Sequence, residues 1–260
     1  MYRLAAFDLD GTLLNGQNAV SDANAEALRD LVEQGVIVAA ATARSYQAAM
    51  RSFDSLGIPA AAVASGGADV RLAGGQVVRQ SPLPGEFTDF LVAAAEQANW
   101  TITLMTPEMM YRRQSPLPDP SRQRPFLAIV DTLQGVDLTV LLSALLEPQA
   151  PDHLFEELLG WDGRVGIHRA ASFNGAALVN ATAIGADKGH GLQALCDALA
   201  IDVAEAVVFG DSEVDLPMFD VAGTSVAMAN APAHVRDRAT HQTASAAEDG
   251  VAMAIRTLWS

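Results

Sequence analysis

The sequence predicts an α/β fold: a parallel sheet with helices on both faces, interrupted by an inserted α+β segment. Three observations predict it. Short apolar runs recur and end in polar or small residues, as strands buried on both faces of a parallel sheet do. Helix-like segments alternate with those runs, the order that builds parallel sheets. The alternation breaks over about 83–182 and resumes near Ala183.

Taken in order, Leu4–Phe7 is the first run and leads into Asp8. Ser21 is a suitable N-cap for a helix over about 22–34, which Gly35 ends. Val36–Ala40 leads into Thr42, residues 45–56 read as a second helix closed by Gly57, and Ala60–Val63 leads into Ser65-Gly66-Gly67. Residues 69–80 read as a hairpin turning at Gly74-Gly75. Ser81-Pro82-Leu83-Pro84-Gly85 breaks the chain before a helix over about 86–98 and a strand at Trp100–Leu104. Four prolines make 114–125 an expected exposed loop, and Phe126–Val130 a further strand. Lys188–Ala200 reads as a helix, with Leu192, Leu195 and Leu199 at spacings of three and four. Ala206–Phe209 then leads into Gly210-Asp211, and Val226–Met228 into Asn230. The sum is a Rossmann-like parallel core of about 1–82 and 183–260, split by an inserted α+β domain of about 83–182. Ligands of such sheets bind at the carboxyl ends of the strands.

Composition narrows the function classes. A chain of 260 residues, half of them apolar, buries a sizeable core. It carries 31 acidic and 16 basic residues, a formal charge of −15, which opposes encounter with nucleic acid or an anionic membrane. No apolar run reaches the ~18–20 residues that span a bilayer. The start, Met1–Leu4, lacks a basic region followed by a long apolar stretch, so the expected compartment is the cytoplasm. The single Cys196 excludes an internal disulfide and a Cys-rich zinc site.

Four features carry chemistry. Asp8-Leu9-Asp10-Gly11-Thr12-Leu13-Leu14 directly follows the first run. Two carboxylates two residues apart at a strand end can enter one crevice, one as a nucleophile and the other to handle a proton. Gly11 lets the chain turn sharply and brings backbone N–H groups close to an anion. Gly210-Asp211-Ser212-Glu213-Val214-Asp215 is a second acidic cluster after a buried-type strand. Its hard oxygens, with no His or Cys beside them, favour Mg²⁺ over zinc. Thr42 ends the second strand, where its hydroxyl and the following N–H suit a phosphoryl oxygen. Lys188 opens a helix, against the dipole preference for acids in the first turn.

In order and position these four features resemble the motifs of the haloacid dehalogenase superfamily of phosphotransferases. The length of the insertion between Thr42 and Lys188 looks like the Cof-like branch with a large α/β cap, as does Val226-Ala227-Met228-Ala229-Asn230-Ala231. The resemblance implies that Asp8 is a nucleophile forming an aspartyl-phosphate and a Mg²⁺ ligand. It implies that Asp10 protonates the leaving group, then activates water, and offers Mg²⁺ its backbone carbonyl. Thr42 and Lys188 would hold phosphoryl oxygens, with the N–H groups of Leu9 and Ala43 as further donors. Asp211 would ligate Mg²⁺ with Asp215 beside it, directly or through water. The implied activity is Mg²⁺-dependent hydrolysis of small phosphomonoesters such as sugar phosphates or phosphorylated cofactors, by a monomer or homodimer. A phosphosugar mutase and a non-catalytic phosphometabolite sensor are the alternatives. Asp10 argues against a cation pump, where the resemblance would lead one to expect Thr, and against a dehalogenase, which lacks the second acid. Three positions depart from the branch's pattern: Ala43 for Gly, Gly66 for Asn and Val214 for Asn. Arg44 is expected to form a structural ion pair rather than to face substrate, and Cys196 to be buried and inert.

Overall fold

In this computed structural model, the described residues are all but 1, 114–125, 136–137, 148–157, 159, 162, 172–176 and 260. The proline-rich stretch 114–125, expected to be a loop, lies outside them. The described chain divides into two compact units, Met1–Arg79 with Asp187–Ser260, and Gln80–Ala186.

The first unit is built on β1 (Leu4–Phe7). On one side β1 pairs in parallel with β2 (Ile37–Ala41), and β2 with β3 (Ala60–Ala64). On the other side it pairs with β12 (Ala206–Gly210), which pairs with β13 (Thr224–Ala227) and that with β14 (His241–Gln242). β4 (Asp69–Arg71), antiparallel to β3, and β5 (Val77–Gln80) complete an eight-stranded sheet on the β3 side. The chain leaves β1 toward β2 and returns to its other flank at β12, so the sheet reverses its strand order at β1. Ligand crevices open at the carboxyl ends of strands at such a reversal.

Alternate residues of these strands face two separate cores, which is why the runs are apolar throughout. Ala5, Phe7, Val38, Ala40, Val207 and Phe209 face α1 (Asp22–Glu33), α2 (Tyr46–Asp54) and α7 (Gly250–Leu258). Leu4, Ala6, Ala39, Val63 and Val208 face α4 (Lys188–Leu199) and α5 (Leu216–Val221). Phe7 stacks on Phe209 across the β1–β12 pair, centroids 4.7 Å apart, a contact of about 0.5–1.5 kcal/mol beyond its buried area. Ser21 caps α1 by accepting from the Asn24 N–H. Buried Asn24 in turn accepts from Ala252 N–H, tying α1 to α7. A short helix α6 (Ala233–Arg236) follows β13.

The second unit packs α3 (Gly85–Gln97) on a six-stranded sheet. The strand order is β10 (Val165–Ala171), β11 (Ala177–Ala183), β9 (Leu142–Glu147), β6 (Thr101–Met105), β7 (Met110–Arg113) and β8 (Leu127–Val130). All neighbours are antiparallel except β7 and β8. Phe87, Leu91 and Ala95 on one face of α3 share a core with Ile102, Leu104, Leu145 and Val179. Among the described residues no helix is long and apolar enough to cross a membrane.

Candidate active site

Parallel pairing brings the chemistry-bearing residues together at one end of the first unit's sheet. Phe7 is in register with Phe209 on one side and Ala40 on the other. Asp8 therefore leaves β1 between the ends of β12, which delivers Asp211, and β2, which delivers Thr42. Asp8 is fixed at its backbone by donating to the Phe209 carbonyl at 2.9 Å. Lys188 comes from the first turn of α4, whose N-cap Asp187 accepts from the His190 N–H.

Lys188 is only 2 % exposed, and its Nζ donates to Asp8 Oδ1 and Asp215 Oδ1, each at 2.6 Å. A buried ammonium is tolerable only when paired in this way. Burial alone would lower its pKa, but the carboxylates of Asp215 and Asp8 outweigh burial and raise it. Its exception to the dipole rule thus has a cause: its counterions are these two acids. The other oxygen of Asp215 accepts from the backbone N–H of Asp211 and Ser212 and from the Ser212 hydroxyl, at 2.9–3.0 Å. Asp215 therefore both pairs Lys188 and fixes the turn that presents Asp211.

Asp8, Asp211 and Asp215 each offer a carboxylate oxygen, and these oxygens lie within 4.8 Å of one another. One ammonium against three carboxylates leaves two negative charges uncompensated. Burial first, and the charge of Asp215 as well, push Asp8 up to about 8, against the pull of Lys188. The same two causes push Asp211 up to about 6. An all-oxygen set with this excess charge fits a hard divalent cation.

The remaining residues singled out in the sequence fall around this cluster. Asp10 is not part of it: its carboxylate is half exposed and takes the Arg44 guanidinium, Nε to Oδ2 at 2.7 Å and Nη2 to Oδ1. Arg44 Nη2 also donates to Asn18 Oδ1, so Arg44 is in an ion pair, and its partner is Asp10. Thr42 is buried, and its hydroxyl oxygen accepts from the Arg44 N–H at 3.2 Å. Leu9 is buried in the core, so only its backbone is available for chemistry. Ala43 does not have a left-handed backbone, so replacing Gly there adds no strain. Gly66 sits at φ +67, a conformation that Gly and Asn adopt most readily, which accounts physically for the exchange of one for the other. Its N–H donates to the Thr42 carbonyl at 2.9 Å, so this turn braces the Thr42 loop. Val214 is half-buried in the turn before α5.

Sequence reasoning missed one participant, Asn230. Its Nδ2 donates to the Gly11 carbonyl at 2.9 Å and to Asp211 Oδ2 at 3.1 Å. It lies 219 and 19 residues from those partners, in a loop after β13; the sequence marks it only as part of Val226–Ala231 and says nothing of these contacts.

A parallel sheet with helices on both faces and four motifs at its switch point define a haloacid dehalogenase-like hydrolase. Residues 5–255 match that family, and the chain belongs to it. Among its relatives, a 5-amino-6-(5-phospho-D-ribitylamino)uracil phosphatase of Bacillus subtilis is 25% identical over 254 residues, covering 98% of this chain and 94% of that one. An HMP-PP phosphatase of Serratia proteamaculans is 29% identical over 252 residues, covering 89% and 85%. The fold is shared with a haloacid dehalogenase-like hydrolase from Bacteroides thetaiotaomicron, with a TM-score of 0.84 at 23% identity over 99% of this chain and 100% of that one.

Proposed function

We propose that the chain is a Mg²⁺-dependent phosphatase that hydrolyses small phosphomonoesters through an aspartyl-phosphate on Asp8. The observation that carries this reading is the buried pairing of Asp8 with Lys188, beside Asp211 and Asp215. It sets a nucleophilic carboxylate at the sheet's switch point next to a fixed cation. The two relatives' names, a phosphatase for a phosphorylated ribitylamino-uracil and one for HMP-PP, support small phosphorylated metabolites as the substrate class. We also take Gln80–Ala186 as a domain inserted into the catalytic core.

In this mechanism an Asp8 carboxylate oxygen attacks phosphorus and the ester P–O bond breaks. Asp10, released from its pair with Arg44 and acting as the acid in this step, gives its proton to the leaving oxygen. Asp10 then takes a proton from the water that attacks the aspartyl-phosphate, releasing phosphate and restoring the Asp8 carboxylate and the Asp10 acid. Lys188, Thr42 and the backbone N–H groups of Leu9 and Ala43 hold the phosphoryl oxygens. Asp8 and Asp211, the Asp10 carbonyl and, directly or through water, Asp215 would hold Mg²⁺. When bound, Mg²⁺ supplies the positive charge that lets an anionic nucleophile approach an anionic phosphate.

Phosphate release from a panel of phosphorylated metabolites, with Mg²⁺ and with chelator, tests the reading. Turnover should require Mg²⁺, and Asp8→Asn should lower it by about 10⁴-fold or more, as loss of a nucleophile does. No turnover by folded protein on any member of a broad panel would overturn it. Return of the phosphoryl group to another hydroxyl of the substrate, instead of to water, would make the enzyme a mutase.

A further inference from the structure

We propose that Asn230 is a positioning residue that presets the Asp211 carboxylate, and through it the affinity of the acidic cluster for a divalent cation. The proposal rests on the Mg²⁺-dependent reading above.

The amide of Asn230 is fully engaged. Its nitrogen side faces two acceptors, the Gly11 carbonyl and Asp211 Oδ2, and its Oδ1 accepts from the Ala246 N–H at 3.0 Å. That arrangement fixes which way the amide points, since a flip would set oxygen against two oxygens and NH₂ against an N–H. The loop that carries it is itself held. Met228 N–H donates to the Gly210 carbonyl at 3.1 Å, and Arg236 Nη1 donates to the carbonyls of Ala231 at 2.6 Å and Ala229 at 3.2 Å.

On the other side, buried Thr12 donates its hydroxyl to Asp211 Oδ1 at 3.2 Å. Both oxygens of Asp211 are thus held by neutral donors, and each keeps a lone pair for an ion. Neutral donors matter here. They orient the carboxylate without cancelling the charge that attracts a cation, whereas an Arg or Lys would compete with it. Asn230 also joins the loop after β1, at Gly11, to the Asp211 carboxylate after β12, so the proposed ligands from β1 and β12 are stapled before any ion arrives. Without that staple, repulsion from Asp8 and Asp215 turns Asp211 away, and each binding event must draw it back. Partners of this kind behind metal ligands are worth about 10–100-fold in metal affinity.

The test is titration of Mg²⁺ into substrate-free protein by calorimetry, with the Mn²⁺ electron paramagnetic resonance spectrum as a second reading. Asn230→Ala should weaken Mg²⁺ binding by about 10-fold or more. It should raise the Mg²⁺ concentration needed for half-maximal turnover while kcat at saturating Mg²⁺ largely recovers, a split that simple loss of folded protein does not produce. Asn230→Ser, whose short hydroxyl cannot span both Gly11 and Asp211, is the second variant if Asn230→Ala does not fold. A folded variant that binds Mg²⁺ within about two-fold of wild type, against the 10–100-fold expected, overturns the proposal. Wild-type protein that binds no divalent cation overturns the Mg²⁺ reading itself and this inference with it.

Discussion

Asp8 carries the conflict on which the candidate site turns. In the proposed mechanism it must be an anion to attack phosphorus, yet it is buried beside two other carboxylates and its pKa rises from 3.8 to about 8. A carboxyl whose folded pKa is raised contributes stability below its unfolded pKa and loses it as pH climbs through the folded one. In metal-free protein this contribution therefore fades between about pH 4 and pH 8. Asp8→Asn removes the titration and leaves Lys188 paired with Asp215. At pH 8 without metal, the variant should melt above wild type by roughly 2–4 °C, the shift that about 1 kcal/mol produces in a chain of this size. The gap should narrow at pH 5, and added Mg²⁺ should raise wild type more than the variant. Thermal melts at both pH values, with and without Mg²⁺, read all three. A gap that does not change with pH would show that Asp8 ionises as it does in the unfolded chain.

At the scale of elements, the site is held in place by turns that only certain residues can make. Gly11 has φ +89, and a Cβ there would lie 2.3 Å from Asp211 Oδ2. Gly11→Ala thus clashes with the carboxylate that Asn230 and Thr12 hold, and should cost activity together with about 1–2 kcal/mol of stability from the left-handed backbone alone. The Ser65–Gly67 turn is more permissive. Gly66→Asn suits φ +67 and should cost less than about 1 kcal/mol, whereas Gly66→Val should cost about 1–2 kcal/mol and disturb Thr42 through the bond between them. Urea titration of the two variants checks the ordering, which must put Val below Asn. Which elements were legible in the sequence follows from the same physics. β1, β2, β3 and β12 are readable because burial on both faces leaves no polar residue inside them. β10, β11 and β7 are not: Val-Gly-Ile-His-Arg-Ala-Ala, Ala-Leu-Val-Asn-Ala-Thr-Ala and Met-Tyr-Arg-Arg have weak strand propensity. Pairing across distant segments makes them strands, as when Leu178 meets Leu146 and Ala170. Asp8, Asp211, Asp215 and Lys188 announce themselves at ends of elements. Asn230 also follows an apolar run, but its part in the site is made by tertiary contacts that the sequence does not show.

For the whole molecule, a formal charge of −15 has to be set against a substrate that is itself an anion. In the proposed mechanism the cations that meet a phosphate are local: buried Lys188 and Mg²⁺. Arg44 adds little net attraction, because Asp10 takes its charge. The net charge opposes an anion at long range, and attraction is expected only close to Lys188 and bound Mg²⁺. Salt separates the two, since the Debye length is about 10 Å at 0.1 M and buried pairs are screened much less than surface charge. Raising KCl from about 20 to 200 mM at fixed saturating Mg²⁺ should therefore weaken the repulsion more than the attraction. For a dianionic phosphomonoester, kcat/KM should rise by about two- to three-fold while kcat stays nearly constant, because the salt acts on encounter and not on chemistry. A fall in kcat/KM over that range would mean that cationic residues outside the cluster steer the substrate.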